Sequence, residues 1–204
     1  MGTVFIDGHE IHEIPLRTLR GQIGIVPQDQ FLFSSTIRDN IGFDPHPYTD
    51  GDIEHAAKVA QVYDNIVEFP NQFETALGER GVSLSGGQRQ RVSIARAIIK
   101  KPSVLIFDDS LSAVDTITED LILEGLTSIM EQRTTIIIGH RISSVQAADQ
   151  IIVLDEGCIV ERGNHQELVS QGGMYADLYH KQLLDEAAQH HDSSSYSATG
   201  GGQA

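Results

Sequence analysis

Val104-Leu105-Ile106-Phe107-Asp108-Asp109 decides the fold: four apolar residues without alternation, then two carboxylates. A run of this kind reads as a strand covered on both faces of a parallel sheet. Its carboxylates then stand at the C-terminal end of the strand, where open α/β sheets bind their ligands. Asp108 can hold Mg2+ directly or through water while Asp109 faces an attacking water, although the same dipeptide also reads as the plain start of a loop. Four further β-rich runs lie at Thr3–Ile6, Gln22–Val26, Thr134–Ile138 and Gln150–Leu154. Two of them also end in polar residues, Pro27-Gln28 and Gly139-His140.

Helical patterns alternate with these strands, which makes the fold class α/β with a parallel sheet core. Gln88–Ile99 repeats Val92, Ile94, Ala95, Ile98 and Ile99 and stops at Lys100-Lys101-Pro102, where the lysines complement the helix dipole and the proline prevents continuation. Thr116–Met130 opens with Thr116-x-x-Glu119, the pattern of a capping box, and Asn164-x-x-Glu167 repeats it before a late helix. Asp155-Glu156-Gly157 marks a hairpin between Ile151–Leu154 and Cys158–Val160. From Asp29 to Gly81 no buried strand is expected, and Asp52–Gln61 is the one good helix. The chain therefore divides into a first part of the sheet core (1–28), a helical subdomain (29–101), the rest of the core (102–189) and a low-complexity, disordered tail (190–204).

Leu84-Ser85-Gly86-Gly87-Gln88 is the strongest local signal. Ser85 is a good N-cap, Gln88 completes the Ser-x-x-Gln box, and two glycines leave backbone N–H groups uncovered. Such a helix start offers bare donors and a positive dipole end to an anion. Arg89, Arg91, Arg96, Lys100 and Lys101 follow, so the basic segment of the chain begins here. An ordinary capped helix with a solvated face fits the same residues.

Composition bounds the function. The 204 residues are 40% hydrophobic, enough for a core, and carry 14 Lys plus Arg against 29 Asp plus Glu, a net charge of −15. That balance argues against a broad basic face for nucleic acid. Cys158 is the single cysteine and cannot form an internal disulfide, which points to a reducing compartment. No apolar run approaches the roughly 20 residues of a membrane helix.

Taken in order, Pro27-Gln28, Leu84–Gln88, Leu105–Asp109, Ser112-Ala113-Val114-Asp115 and Gly139-His140-Arg141 resemble the nucleotide-binding domain of ABC transporters. In that family these are the Q-loop, the signature, Walker B, the D-loop and the switch-histidine loop. Gly78-Glu79-Arg80-Gly81 looks like the exporter X-loop, and Gln28–Phe33 with Thr36–Ile41 also looks like the exporter subclass. The resemblance runs from about Gly2 to Leu184. It implies an ATPase that powers export, with ATP and Mg2+ as cofactors, working at the cytoplasmic face of the cell membrane through membrane-spanning partners. Family domains pair head to tail, so Gln28 and Asp108 are implied to contact Mg2+ or its waters, Asp109 to act as general base, and His140 to contact the γ-phosphate. Ser85, Gly86, Gly87 and Gln88 are implied to meet the partner's nucleotide, and Asp115 to cross the interface. A non-catalytic half that only supplies the signature in trans is the second reading. A soluble repair or chromosome-maintenance ATPase is the third, disfavoured because no sustained heptads separate Gln28 from Gln88.

Two departures qualify the resemblance. No glycine in the sequence is followed by lysine, so the Gly-x-x-x-x-Gly-Lys-[Ser/Thr] loop that cradles phosphates is missing, as though the chain began partway into the domain. Asp109 stands where the family usually has glutamate. Basicity barely changes, by about 0.4 pKa units, but the carboxylate is withdrawn by about 1.5 Å, and a misplacement of about 1 Å can cost on the order of 100-fold in rate. In the family, aspartate here marks the degenerate site of heterodimeric exporters, so a partner of different sequence is expected. Without the main phosphate cradle, the 204-residue chain is expected to bind Mg-ATP weakly; tight binding by titration calorimetry contradicts this.

Overall fold

The computed structural model describes residues 2–44, 47–78, 81–111 and 116–196. In chain order the strands are β1 (Phe5–Ile6), β2 (His9–Glu10), β3 (Ile23–Val26), β4 (Val104–Asp108), β5 (Thr134–Ile138), β6 (Ile151–Asp155) and β7 (Cys158–Gly163). The helices are α1 (Leu16–Gln22), α2 (Ile37–Ile41), α3 (Asp50–Val59), α4 (Tyr63–Val67), α5 (Gly86–Ile99), α6 (Thr116–Met130), α7 (Ile142–Val145), α8 (His165–Gln171) and α9 (Met174–Tyr196). They form two compact units, Met1–Gly139 and His140–Ala204, and the boundary falls inside the 102–189 stretch that the sequence reading treats as one piece.

In the first unit β3, β4 and β5 make a parallel sheet in the order β3-β4-β5. The run at Thr3–Ile6 does not join it: β1 pairs only with β2, across the tight Asp7-Gly8 turn. The core gathers Val26, Leu105 and Phe107 from the sheet with Val92, Ile94, Ala95, Ile98 and Ile99 of α5, Ile37 and Ile41 of α2, Ile53 and Ala57 of α3, and Ile122 and Leu126 of α6. The expectation that both sheet faces are covered fails. Burial alternates along β4 and β5, and Ile25, Ile136 and Ile138 are 54%, 46% and 52% exposed. Helices pack on one face only among the described residues, so an unbroken apolar run here serves one covered and one open side.

Among the described residues the stretch between β3 and β4 is helical, without a strand longer than the isolated bridges at Thr36–Ala76 and Leu77–Val82. Its helix α3 starts two residues before the expected Asp52, because Thr49 caps it: the Thr49 hydroxyl accepts from the Asp52 amide and the Asp52 carboxylate accepts from the Thr49 amide. The Thr49 hydroxyl, which donates to the Asp52 carboxylate at 2.6 Å, and the Thr49 amide together hold the Asp52 carboxyl below the usual carboxylate range. Arg38 ties α2 to α3 and to the following turn, donating to Asp50 at 2.7 Å and to Glu74 at 2.6 Å. Helix α5 reaches β3 through Gly24, where an added Cβ would lie 2.7 Å from the Ala97 carbonyl oxygen and 2.8 Å from Pro102.

The second unit holds the β6–β7 hairpin, turned by Glu156 (φ 46°) and Gly157 (φ 77°), as expected from Asp155-Glu156-Gly157. Like β1, β6 pairs only within its hairpin. Ile142, Ile151, Leu168 and Tyr175 form its core. The Asn164–Glu167 capping box is present at α8. The Glu161 carboxylate of β7 accepts from the first two amides of α9, Met174 at 2.5 Å and Tyr175 at 3.1 Å, and so satisfies a helix start that its own sequence leaves uncapped. Helix α9 runs to Tyr196, past His190 where the sequence reading begins a disordered tail; neither Gly nor Pro interrupts the chain before Gly200, and Ala187-Ala188-Gln189 favour helix. The cap expected at Thr116 lies outside the described side chains. No helix among the described residues is long and apolar enough to cross a membrane.

Gly24→Ala is expected to destabilise the first unit by about 1–3 kcal/mol through overpacking. Gly21→Ala, on α1 with nothing within 4 Å of the new methyl, is expected to be neutral or to stabilise by up to about 1 kcal/mol. Urea denaturation of the two variants checks the contrast.

Candidate functional site

The head of α5 is built as its residues dictate. Ser85 is the N-cap; its hydroxyl accepts from the Gln88 amide at 3.2 Å and its own amide donates to the Gln88 side-chain oxygen at 2.9 Å. The Ser85 carbonyl accepts from the Arg89 amide at 2.9 Å. This leaves the Gly86 and Gly87 amides without a helical partner. An added Cβ at Gly86 would meet nothing closer than the Arg89 guanidinium at 4.0 Å, so no side chain crowds Gly86 on that side. No acidic residue lies in the first turn to neutralise it.

The arginines of α5 do not form the open basic patch that the sequence suggests. Arg89 donates to the Leu84 carbonyl at 2.7 Å, and Arg91 to the carbonyls of Gly87 at 3.2 Å and Gln61 at 2.5 Å. Arg96 donates to the Asn40 carbonyl at 2.6 Å, the Asn40 side chain at 2.8 Å and the Phe31 carbonyl at 2.9 Å, and its burial pulls its pKa below the ordinary guanidinium value. Planar guanidinium groups suit this use, since one side chain can serve several carbonyls at fixed angles. The helix is bolted to its surroundings, and the donors left for an anion at its head are backbone amides.

The sheet end forms the second group. Asp108 is the last residue of β4, and Asp109 follows in the left-handed region at φ 43°, a conformation that short polar side chains tolerate best. The Asp109 amide donates to the Ile138 carbonyl at 2.8 Å and extends the β4–β5 ladder by one bond. Between β3 and β4 the register pairs Ile23 with Val104 and Val26 with Phe107. Continued two residues further, it brings Gln28 level with Asp109, and the Gln28 side-chain amide donates to the Asp109 carboxylate at 3.2 Å. Gln30, which the sequence reading passes over, donates to the Gln28 carbonyl at 2.7 Å and holds the loop from behind. Only the folded loop shows this contact, because nothing in the local sequence sets Gln30 apart from its polar neighbours. The carboxylates of Asp108 and Asp109 with the Gln28 amide oxygen are hard oxygen donors at one sheet end, a set that fits Mg2+.

His140 opens the second unit, beyond the end of β5. Its carbonyl accepts from the Gln182 side chain of α9 at 2.7 Å, and Gln182 accepts in turn from the Ile142 amide at 2.8 Å. Gln182 is a second residue invisible to a motif reading, since it lies 42 positions away from His140 in the chain. Asp115 and the Ser112–Asp115 segment, like Glu79 and Arg80, lie outside the described residues. Ser85→Ala is expected to cost about 1 kcal/mol in urea denaturation, with Ser85→Asn restoring most of it, because either side chain can accept from the Gln88 amide.

Comparison with known proteins places this geometry. The ABC transporter family profile matches residues 1–112. The uncharacterized ABC transporter ATP-binding protein YknU of Bacillus subtilis is 50% identical over 184 residues, 90% of this chain and 32% of that protein. ATP-binding cassette sub-family B member 6 of Homo sapiens is 46% identical over 185 residues, 91% of this chain and 22% of that protein. A solved structure of a bacterial Atm1-family ABC exporter with ATP bound superposes with a TM-score of 0.85 at 42% identity, over 90% of this chain and 32% of the other. The chain thus spans between about a fifth and a third of the length of these relatives. The capped amides of α5 and the carboxylates at the end of β4 lie within the span that the family profile covers, and the chain belongs to the ABC transporter family.

Proposed function

We propose that this chain binds and hydrolyses ATP as one of two nucleotide-binding domains of an exporter, paired head to tail with a second domain of different sequence. The reading rests above all on the head of α5, where the Ser85–Gln88 box caps the helix, leaves the Gly86 and Gly87 amides without a helical partner and has no acidic residue in its first turn. Ser85, Gly86 and Gly87 hold the terminal phosphate of a nucleotide carried by the partner domain, with Gln88 fixing the cap. Asp108 and Gln28 hold Mg2+. Bound Mg-ATP supplies an activated phosphoryl group, and Asp109 takes a proton from the water that attacks it. His140 orients the phosphate oxygens, and Asp115 crosses to the partner and couples the two sites. Phosphate and metal are held by backbone amides and oxygen donors, so catalysis in this site is mostly positioning and charge stabilisation.

Asp109 makes the site slow. Its carboxylate is one methylene short and engaged by Gln28, so it stands back from the position a glutamate would reach. The chain then completes a faster site on its partner through the intact α5 head. The same observation supports the second reading, in which this chain contributes only that helix head and hydrolyses nothing itself. Membrane-spanning partners at the cytoplasmic face of the membrane receive the motion through the helical stretch after Gln28. A ladder of aromatic rings marks its surface there: Phe31 meets Phe33 edge to face at 5.0 Å, Phe33 stacks on Phe43 at 4.2 Å, and Phe31 is 65% exposed.

Two substitutions in the assembled transporter separate the readings. Asp109→Glu is expected to raise ATP turnover toward about twofold, as the slow site joins the partner's fast one, and unchanged turnover counts against a reach-limited site. Ser85→Arg in this chain is expected to abolish hydrolysis at the partner's site; if only this chain's own slow turnover falls, the division of labour is wrong.

A further inference from the structure

We propose that Gln182 is a positioning residue for His140, so that the C-terminal helix α9 sets the loop bearing that histidine. The inference rests on the reading of His140 as a phosphate contact. Its structural part stands within the second unit alone. Helix α9 is pinned at its start by Glu161, which accepts from the amides of Met174 and Tyr175. Tyr175 is buried, and its hydroxyl lies 2.8 Å from Nδ1 of His165, the first residue of α8. Tyr179 stacks edge-on to the same His165 ring at 5.1 Å. Residues 175, 179 and 182 recur at helical spacing, so one face of α9 carries all three inward. Two turns of helix beyond the buried Tyr175, that face delivers the Gln182 amide to the loop.

The contact is a two-point clamp. Nε2 of Gln182 donates to the His140 carbonyl at 2.7 Å and Oε1 accepts from the Ile142 amide at 2.8 Å. An uncharged amide is the side-chain group that can do both at once, one donor and one acceptor held in a plane. Ile142 is itself packed into the core with Leu168 and Tyr175, so the far side of the loop is already fixed. Gln182 fixes the near side, at His140. Helix α7, four residues long, is too short to stiffen this loop by itself. The interaction therefore converts the position of α9 into the position of the histidine backbone.

Hydrogen exchange and histidine NMR on the full 204-residue chain test the clamp. Gln182→Ala is expected to speed exchange of the Ile142 amide about fivefold to tenfold and to shift the His140 ring resonances, while the Leu168 amide keeps its protection. Gln182→Glu keeps the acceptor and loses the donor, so Ile142 stays protected while the His140 resonances still shift; this variant also serves if the alanine variant does not fold. Unchanged Ile142 exchange in Gln182→Ala, or unmoved His140 resonances in both variants, overturns the proposal. In the assembled transporter with Ser85→Arg in this chain, where only this chain's own slow site turns over, Gln182→Ala is expected to lower kcat severalfold with the KM for ATP unchanged. If the clamp is lost by exchange and NMR yet kcat holds, the phosphate-contact role of His140 falls instead, and with it the functional meaning of the clamp.

Discussion

The pairing of β3 with β4 carries more of this structure than any other contact. Because the two strands run parallel in one unbroken register, from Ile23 beside Val104 to Val26 beside Phe107, whatever follows each strand emerges at the same level and from the same sheet end. Gln28 and Asp109 meet for that reason, although 81 residues separate them. Helix α5 lies close on the same sheet, and Gly24 permits that approach by having no side chain where the Ala97 carbonyl and Pro102 sit.

Rigid support and free donors are divided cleanly around α5. Its three arginines are consumed by carbonyls of Leu84, Gly87, Gln61, Asn40 and Phe31, which ties the helix to the irregular chain that precedes it. Its first amides are left open. A helix head that binds an anion gains by being immobile, since preorganised dipoles need no reorganisation when charge arrives. The acidic balance of the whole chain does not oppose this, because the donors are main-chain groups and no carboxylate lies in the first turn.

Asp109 combines two constraints. The left-handed backbone favours a short polar side chain, and the register places a glutamine amide within reach of it. Both act in the same direction, toward a carboxylate that is held back. Sub-ångström to ångström placement decides rates in phosphoryl transfer far more than a few tenths of a pKa unit.

Local chemistry was readable from the chain alone: the Ser85 and Asn164 capping boxes, the strand ending in Asp108, the Glu156-Gly157 hairpin and the order of motifs all depend on neighbours within a few positions. Boundaries slipped where a cap went unnoticed, as at Thr49, or where polar residues continued a helix, as beyond His190. An unbroken apolar run could not say how many faces of its sheet are covered, and β5 has one open side. Nor could composition tell a free arginine from one bound to carbonyls. Gln30 behind Gln28, Gln182 beneath His140 and Glu161 at the start of α9 came only from the folded molecule. Spacing along a chain encodes helix and strand, whereas Gln182 and Glu161 act on groups 42 and 14 positions away, which only packing brings within hydrogen-bonding distance; Gln30 acts locally, but no residue-type signal distinguishes it from its polar neighbours.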